Sequence, residues 1–173
     1  MKVTLKQGDI SRERADAIVN AANSSLLGGA GVDGAIHRRG GPAILTECLE
    51  LRKTSHTEGL PAGQAVATTA GDLDAQWVIH TVGPVYSASD DRSALLASCY
   101  EQSLRVAGEL GARTVAFPAV SAGLYGWPAE SAARIALTTV SQASSRVGEA
   151  RFVLFTPDMH AIFARVHAGL RPS

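Results

Sequence analysis

The residues best suited to chemistry gather in two segments that share one pattern. The first runs from Val19 to Gly41, VNAANSSLLGGAGVDGAIHRRGG. An apolar run ends in Asn20-Ala21-Ala22-Asn23, then come Gly28, Gly29 and Gly31, and Val32-Asp33-Gly34-Ala35-Ile36 opens a helical pattern. The second runs from Pro118 to Pro128, PAVSAGLYGWP, where an apolar run again passes through small residues towards a helix. Small residues at a strand-to-helix junction let backbone N–H groups approach a phosphate closely, and the helix dipole adds to the attraction. One such loop alone reads as a tight turn. Two of them, both at the carboxyl ends of strands where α/β sheets bind ligands, can flank a single diphosphate. Gly31 and Val32 in the first loop, and Ser121, Ala122, Gly123, Leu124 and Tyr125 in the second, are the expected backbone contributors. Asp33 stands beside this cradle at a helix N-terminus, where a carboxylate can orient a water or a sugar hydroxyl for reaction. The same position also suits plain helix capping.

Other chemistries lack their residues. Gly29-Ala30-Gly31-Val32-Asp33-Gly34 matches G-x-G-x-x-G. The dinucleotide fingerprint, however, needs its glycines directly after a strand and an acid at the end of the next one. Here eight residues, Ala21 to Gly28, intervene, and the acids at a suitable distance, Glu47 and Glu50, fall on a helix. There is no G-x-S-x-G elbow, no G-K-[ST] and no H-E-x-x-H. His37, His56, His80, His160 and His167 show no ligand spacing with Cys48 or Cys99, so no metal site is expected.

The elements that must hold these loops alternate short apolar strands with amphipathic helices. Strands are expected at 3–6, 17–20, 65–70, 77–82, 114–119 and 151–156. Runs such as VIHTV and TVAFPAV are nearly continuous in apolar residues, as in a mostly parallel sheet covered on both faces. One helical stripe is Ile44, Leu45, Cys48 and Leu49; another is Leu96, Tyr100, Leu104, Ala107 and Leu110, closed by Gly111. Pro128 is placed to open a third helix, with Glu130 in its first turn, and Asp158 to cap a last one whose face is Ile162, Phe163, Val166 and Leu170. No internal repeat or linker is visible. The expected architecture is a single three-layer α/β/α domain spanning 1–173.

Composition agrees. The 173 residues are 46% hydrophobic and 18% charged, with 16 basic and 16 acidic side chains and a formal net charge of zero. That is globular composition with a chain long enough for one core. A neutral balance argues against a duplex nucleic-acid binder yet allows one small anion held by backbone N–H groups. The two cysteines form no C-x-x-C pair and read as buried free thiols. Residues 1–10 carry Lys2, Lys6 and Asp9 and no apolar core of a signal peptide, and the longest uncharged stretch, 114–129, is broken by Pro118, Gly123, Gly126 and Pro128. A reduced, cytoplasmic setting and no membrane association are the expectation.

Gly8-Asp9-Ile10, then NAAN at 20–23, GGAGVDGAI at 28–36 and SAGLYG at 121–126 together resemble the macro domain. Within that family the pattern is similar to the MacroD-type hydrolases and the bacterial O-acetyl-ADP-ribose deacetylases. The resemblance runs from about Val3 to the final helix. It implies a mixed six-stranded sheet between helices, with ADP-ribose in a cleft across its top. It implies that Asp9 takes the adenine amino group with Ile10 behind the ring, although a turn aspartate is an equal reading of the residue alone. Asn23 would address the hydroxyls of the distal ribose, and Tyr125 would cover that sugar or, with Trp127, be a partly buried loop aromatic. Asn20 closes its strand and would satisfy loop backbone. Phe155 would stack on adenine, though by pattern it reads first as a core residue. One departure is Ala30, where the family usually has glycine; its methyl is expected to stiffen the loop.

The resulting expectation is a metal-independent and cofactor-free hydrolase. It would remove ADP-ribose from modified Asp or Glu side chains of proteins, or from nucleic-acid ends, or deacetylate O-acetyl-ADP-ribose. Asp33 and Asn23 would be its catalytic pair, with the substrate diphosphate assisting. The other readings are a binding module that recognises ADP-ribose without turnover, and an RNA or poly(A) binder, which the neutral charge disfavours.

Overall fold

The structure, a computed structural model, describes residues 1–170. Six strands form one sheet in the order β1-β6-β5-β2-β4-β3, with β1 Lys2–Gln7, β2 Ala17–Ala22, β3 Ala65–Thr69, β4 Trp77–Val82, β5 Thr114–Phe117 and β6 Glu149–Leu154. All neighbours are parallel except β3, which runs antiparallel to β4 at the edge. The helices are α1 Gly31–Gly40, α2 Pro42–Lys53, α3 Ser93–Leu110, α4 Ala129–Gln142 and α5 Pro157–Leu170, and a 3-10 turn spans Ile10–Arg12. This is the mixed, mostly parallel α/β/α sandwich expected.

Strand alternation decides which residues meet which helices. Ala17 and Val19 of β2, Ile79 of β4, Val115 and Phe117 of β5 and Phe152 of β6 face α3, α4 and α5. Tyr100, Phe117, Phe152 and Phe163 form the aromatic centre of that layer, with ring centroids 5.5 to 5.9 Å apart in successive pairs. Ile18, Val78, Ala116 and Val153, one residue out of phase, face α1 and α2 through Ile36, Ile44 and Cys48. Asn20 and His80 belong to this second face and are fully buried. Both cysteines are buried free thiols.

The limits of the elements differ from expectation where local chemistry intervenes. β2 continues two residues past Asn20, so Asn20 lies inside the sheet rather than closing it. β5 stops at Phe117 because Pro118 has no N–H to offer a ladder. Pro128 is the residue before α4, not its first. Asp158 sits inside the first turn of α5 and does not cap it; the Thr156 hydroxyl accepts from Met159 N–H at 3.2 Å instead. Gly111 ends α3 with φ +80°, the left-handed conformation that favours glycine.

Candidate functional site

A cleft of about 760 Å³ opens across the carboxyl ends of the central strands, and the residues expected to meet the ligand line it: Asp9, Ile10, Asn23, Gly31, Val32, Asp33, Ser121 to Tyr125 and Phe155, whereas Asn20 does not. The topology explains the gathering. The loop after β1 carries Asp9, the loop after β2 carries Asn23 and leads into α1, the loop after β5 carries 121–125, and Phe155 follows β6. Parallel strands send all four exits to one edge.

Each glycine-bearing loop contains one non-glycine residue in the left-handed region, Leu26 at φ 60° and Ser121 at φ 64°. Such a residue costs on the order of 1–3 kcal/mol and persists only where its surroundings hold it. Leu26 is buried, and its loop is tied down by Leu60 N–H on Ser24 O at 2.8 Å and by Arg52 Nη1 on Ser25 O at 2.8 Å. Ser121 donates its hydroxyl to Pro84 O at 2.9 Å, where the buried Trp127 also donates Nε1 at 3.0 Å, and Tyr86 N–H donates to Tyr125 O at 2.8 Å. Trp127 is therefore core rather than a loop aromatic. Ala122 N–H is engaged by Ala119 O at 3.3 Å, whereas those of Gly123, Leu124 and Tyr125 meet no acceptor among the described residues. Across the cleft, α1 begins after Ala30 with no side-chain cap, so its first N–H groups also face outward. Ala30 itself is extended, at φ −94°, ψ 175°, a conformation its methyl tolerates without strain.

Asp33 is 4% exposed and does not cap α1. Its Oδ1 accepts from Asn20 Nδ2 at 2.8 Å and lies 3.3 Å from His37 Nε2. Its Oδ2 makes no hydrogen bond among the described residues. A Cβ on Gly29 would stand 3.2 Å from Asp33 Oδ2 and 3.1 Å from Asn23 Nδ2, so Gly29 leaves the gap across which these two side chains face each other. Asn23 is also committed to its own loop, donating to Gly28 O at 2.9 Å and accepting from Ser25 N–H at 3.0 Å and from the Ser25 hydroxyl. Asn20 does not serve loop backbone as expected. Its amide nitrogen reaches Asp33 on one side and His80 Nδ1 at 3.1 Å on the other, and its Oδ1 is buried without a partner among the described residues.

At the other end, Asp9 Oδ1 accepts from the backbone and hydroxyl of Ser11 at 3.0 and 2.7 Å and caps the 3-10 turn, so the turn reading of this residue is realised. Partial burial opposes its charge, but the Ser11 hydrogen bonds and the Arg12 and Arg39 guanidinium groups outweigh that and hold the carboxyl below its ordinary value. Phe155 is 75% exposed, which excludes the core reading, and Leu124, also in the lining, is 80% exposed.

Sequence reading missed the polar layer beneath the cleft. Asn20 and His80 are register partners on β2 and β4. Their signal was a polar interruption of each of two apolar runs, Asn20 in AIVNAA and His80 beside Thr81 in WVIHTV. His80 Nε2 lies 2.9 Å from Thr68 Oγ1 and 3.8 Å from Cys48 Sγ. Burial, and after it the neighbouring His37, pushes the His80 imidazole down to about 3, so it is neutral. Burial, followed by Asp33 and Glu47, pushes the Cys48 thiol up to about 11. Among the described residues no group of three or more His, Cys, Asp or Glu side chains is arranged to hold a metal ion, and no helix is long and apolar enough to cross a membrane.

Residues 19–136 match the Macro domain family, a stretch that contains both loops and Asp33. The chain is a macro domain. It is 69% identical over 163 residues to a macro domain-containing protein of Streptomyces nogalater, covering 94% of this chain and 90% of that one. It is 53% identical over 140 residues to the O-acetyl-ADP-ribose deacetylase 1 of Pantoea vagans, covering 80% and 81%. Among solved structures, a macrodomain variant of Oceanobacillus iheyensis with ADPR superposes with a TM-score of 0.92 at 39% identity, covering 96% of this macro domain and 91% of that chain.

Proposed function

We propose that this macro domain binds ADP-ribose in the cleft and hydrolyses acyl esters of its distal ribose. Its substrates would be O-acetyl-ADP-ribose and ADP-ribose linked to Asp or Glu side chains of proteins. The observation that carries this reading is the division of labour at Asp33. One oxygen is held by Asn20 beside His37, while the other is unbonded and faces Asn23 across Gly29 at the end of the cleft. A carboxylate fixed through one oxygen and open at the other is arranged as a general base requires.

The diphosphate would lie between the N-terminus of α1 and the N–H groups of Gly123 to Tyr125, the adenine between Asp9 and Phe155, and the distal ribose at Asn23 and Asp33. Water then adds to the acyl carbon while Asp33 Oδ2 takes its proton, and the bond from that carbon to the ribose oxygen breaks. The sugar oxygen recovers a proton, and one water is consumed for each acid and each free hydroxyl formed. A substrate phosphate at the head of α1 is placed to share in orienting the water. No metal is required by this scheme.

The test is incubation of the purified domain with O-acetyl-ADP-ribose and with an ester-linked ADP-ribosylated protein, following release over time. Release from either substrate at a rate proportional to enzyme is the expected result. Tight ADP-ribose binding with no release from either would leave a pure binding module.

A further inference from the structure

The hydrogen bonds behind Asp33 form one continuous chain with a fixed polarity. Thr69 O, a backbone carbonyl, can only accept, and Thr68 Oγ1 donates to it at 2.9 Å. With its one hydrogen used, Thr68 Oγ1 must accept from His80 Nε2 at 2.9 Å, so that nitrogen carries the proton. In a neutral ring His80 Nδ1 is then an acceptor, and it receives one hydrogen of Asn20 Nδ2 at 3.1 Å. The second hydrogen of that amide goes to Asp33 Oδ1 at 2.8 Å. Turning the amide over would aim its oxygen at a carboxylate and at an unprotonated ring nitrogen, both acceptors. In the orientation these acceptors require, the Asn20 Oδ1 is buried with no partner among the described residues. His37, with its ring centroid 6.2 Å away, and Cys48 are the titratable groups that face His80, and Asp33 is reached only through the Asn20 amide.

We propose that Thr68 and His80 are positioning residues: through the His80 tautomer they fix the Asn20 amide, and through it the direction of the Asp33 carboxylate. This rests on Asp33 being the general base. Its distinctive consequence is that a hydroxyl on the edge strand β3, outside the cleft lining, controls turnover without touching substrate.

Two measurements separate this from that reading and from mere packing. The first is nitrogen-15 NMR of histidine in the free protein, which requires no substrate. His80 is expected as the Nε2–H tautomer with no titration between pH 5 and 8, and Thr68→Val, which keeps the shape but removes the hydroxyl, is expected to give mixed tautomers. A wild-type Nδ1–H ring, or a pure Nε2–H ring in Thr68→Val, overturns the relay. The second is kinetics of ester hydrolysis. Thr68→Val should lower kcat by about 10-fold, since small misorientation of a base is expensive. KM and ADP-ribose affinity should stay within about twofold, because the backbone cradle is untouched. Thr68→Ser should restore kcat. Equal turnover in Thr68→Val and wild type, or equal losses in the serine and valine variants, refutes the role. Should Thr68→Val not fold, His80→Asn, whose side-chain oxygen can stand in for Nδ1, must outperform His80→Leu. If wild type proves inactive, the hydrolase reading falls and the tautomer measurement alone decides the relay.

Discussion

Asp33 is gripped by one oxygen and offered by the other, and substitutions there separate binding from chemistry. Asp33→Ala should lower the rate of ester hydrolysis by at least about 10²-fold, the lower end of what acid–base assistance contributes. ADP-ribose affinity should change only a few-fold, because the proposed diphosphate cradle is built of backbone N–H groups. Single-turnover kinetics and calorimetry on the folded variant make that comparison, and an equal loss in both would assign Asp33 to binding. Asp9, at the other end, caps the Ile10–Arg12 turn and is the residue proposed to meet adenine. Asp9→Ala should weaken ADP-ribose and AMP alike, since both carry adenine. It should also cost about 1 kcal/mol of stability through the lost cap on the Ile10–Arg12 turn, readable as a lower denaturant midpoint. AMP affinity unchanged in that variant would place the adenine elsewhere.

At the scale of elements, the cleft has two walls, the head of α1 and the 121–125 loop, and a ligand must span both to use both. ADP-ribose is therefore expected to bind at least about tenfold more tightly than AMP, roughly 1.4 kcal/mol. Equal affinities by calorimetry would mean that only one wall is engaged. These walls were legible in the sequence because glycine loops at strand ends have a local cause, and local causes survive in a one-dimensional reading. The strand and helix periods were legible for the same reason. What was not legible depends on pairing across the chain. That Asn20 faces His80 follows from the register of β2 against β4, and that Thr68 reaches His80 follows from the antiparallel docking of β3. Phe155 read first as core because it continues an apolar run, yet β6 ends at Leu154 and releases it to the rim. Asp158 read as a cap because its side chain suits one, but Pro157 already begins the helix.

At the scale of the whole molecule, the buried His80 ties stability to pH. Its imidazole is pushed from 6.5 to about 3 in the folded chain, so between those values the unfolded chain binds a proton that the folded one does not. Stability from this group is full above pH 6.5 and is lost as pH falls towards 3, with a slope approaching about 1.4 kcal/mol per pH unit. Urea midpoints measured from pH 6.5 to 5, above the usual carboxylate range, should fall in wild type and fall less steeply in His80→Asn. Parallel slopes would show that His80 is not buried neutral. The proposed scheme uses the Asp33 carboxylate as its base, so hydrolysis should survive dialysis against a strong chelator. Loss that zinc or magnesium restores would contradict the scheme.

Leu124 and Phe155 both line the cleft and stand 80% and 75% exposed. Free in water, they are apolar surface that the fold has not covered. A ligand seated against them would complete that covering, so its arrival would resemble a last small step of folding. Two thermodynamic marks follow. Association should have a negative heat-capacity change, the signature of apolar surface leaving water. The melting temperature should climb with ligand concentration without a plateau, because a ligand at 100 times its Kd adds about 2.7 kcal/mol to the folded state alone. In a cell where ADP-ribose rises and falls, the lifetime of the protein would rise and fall with it.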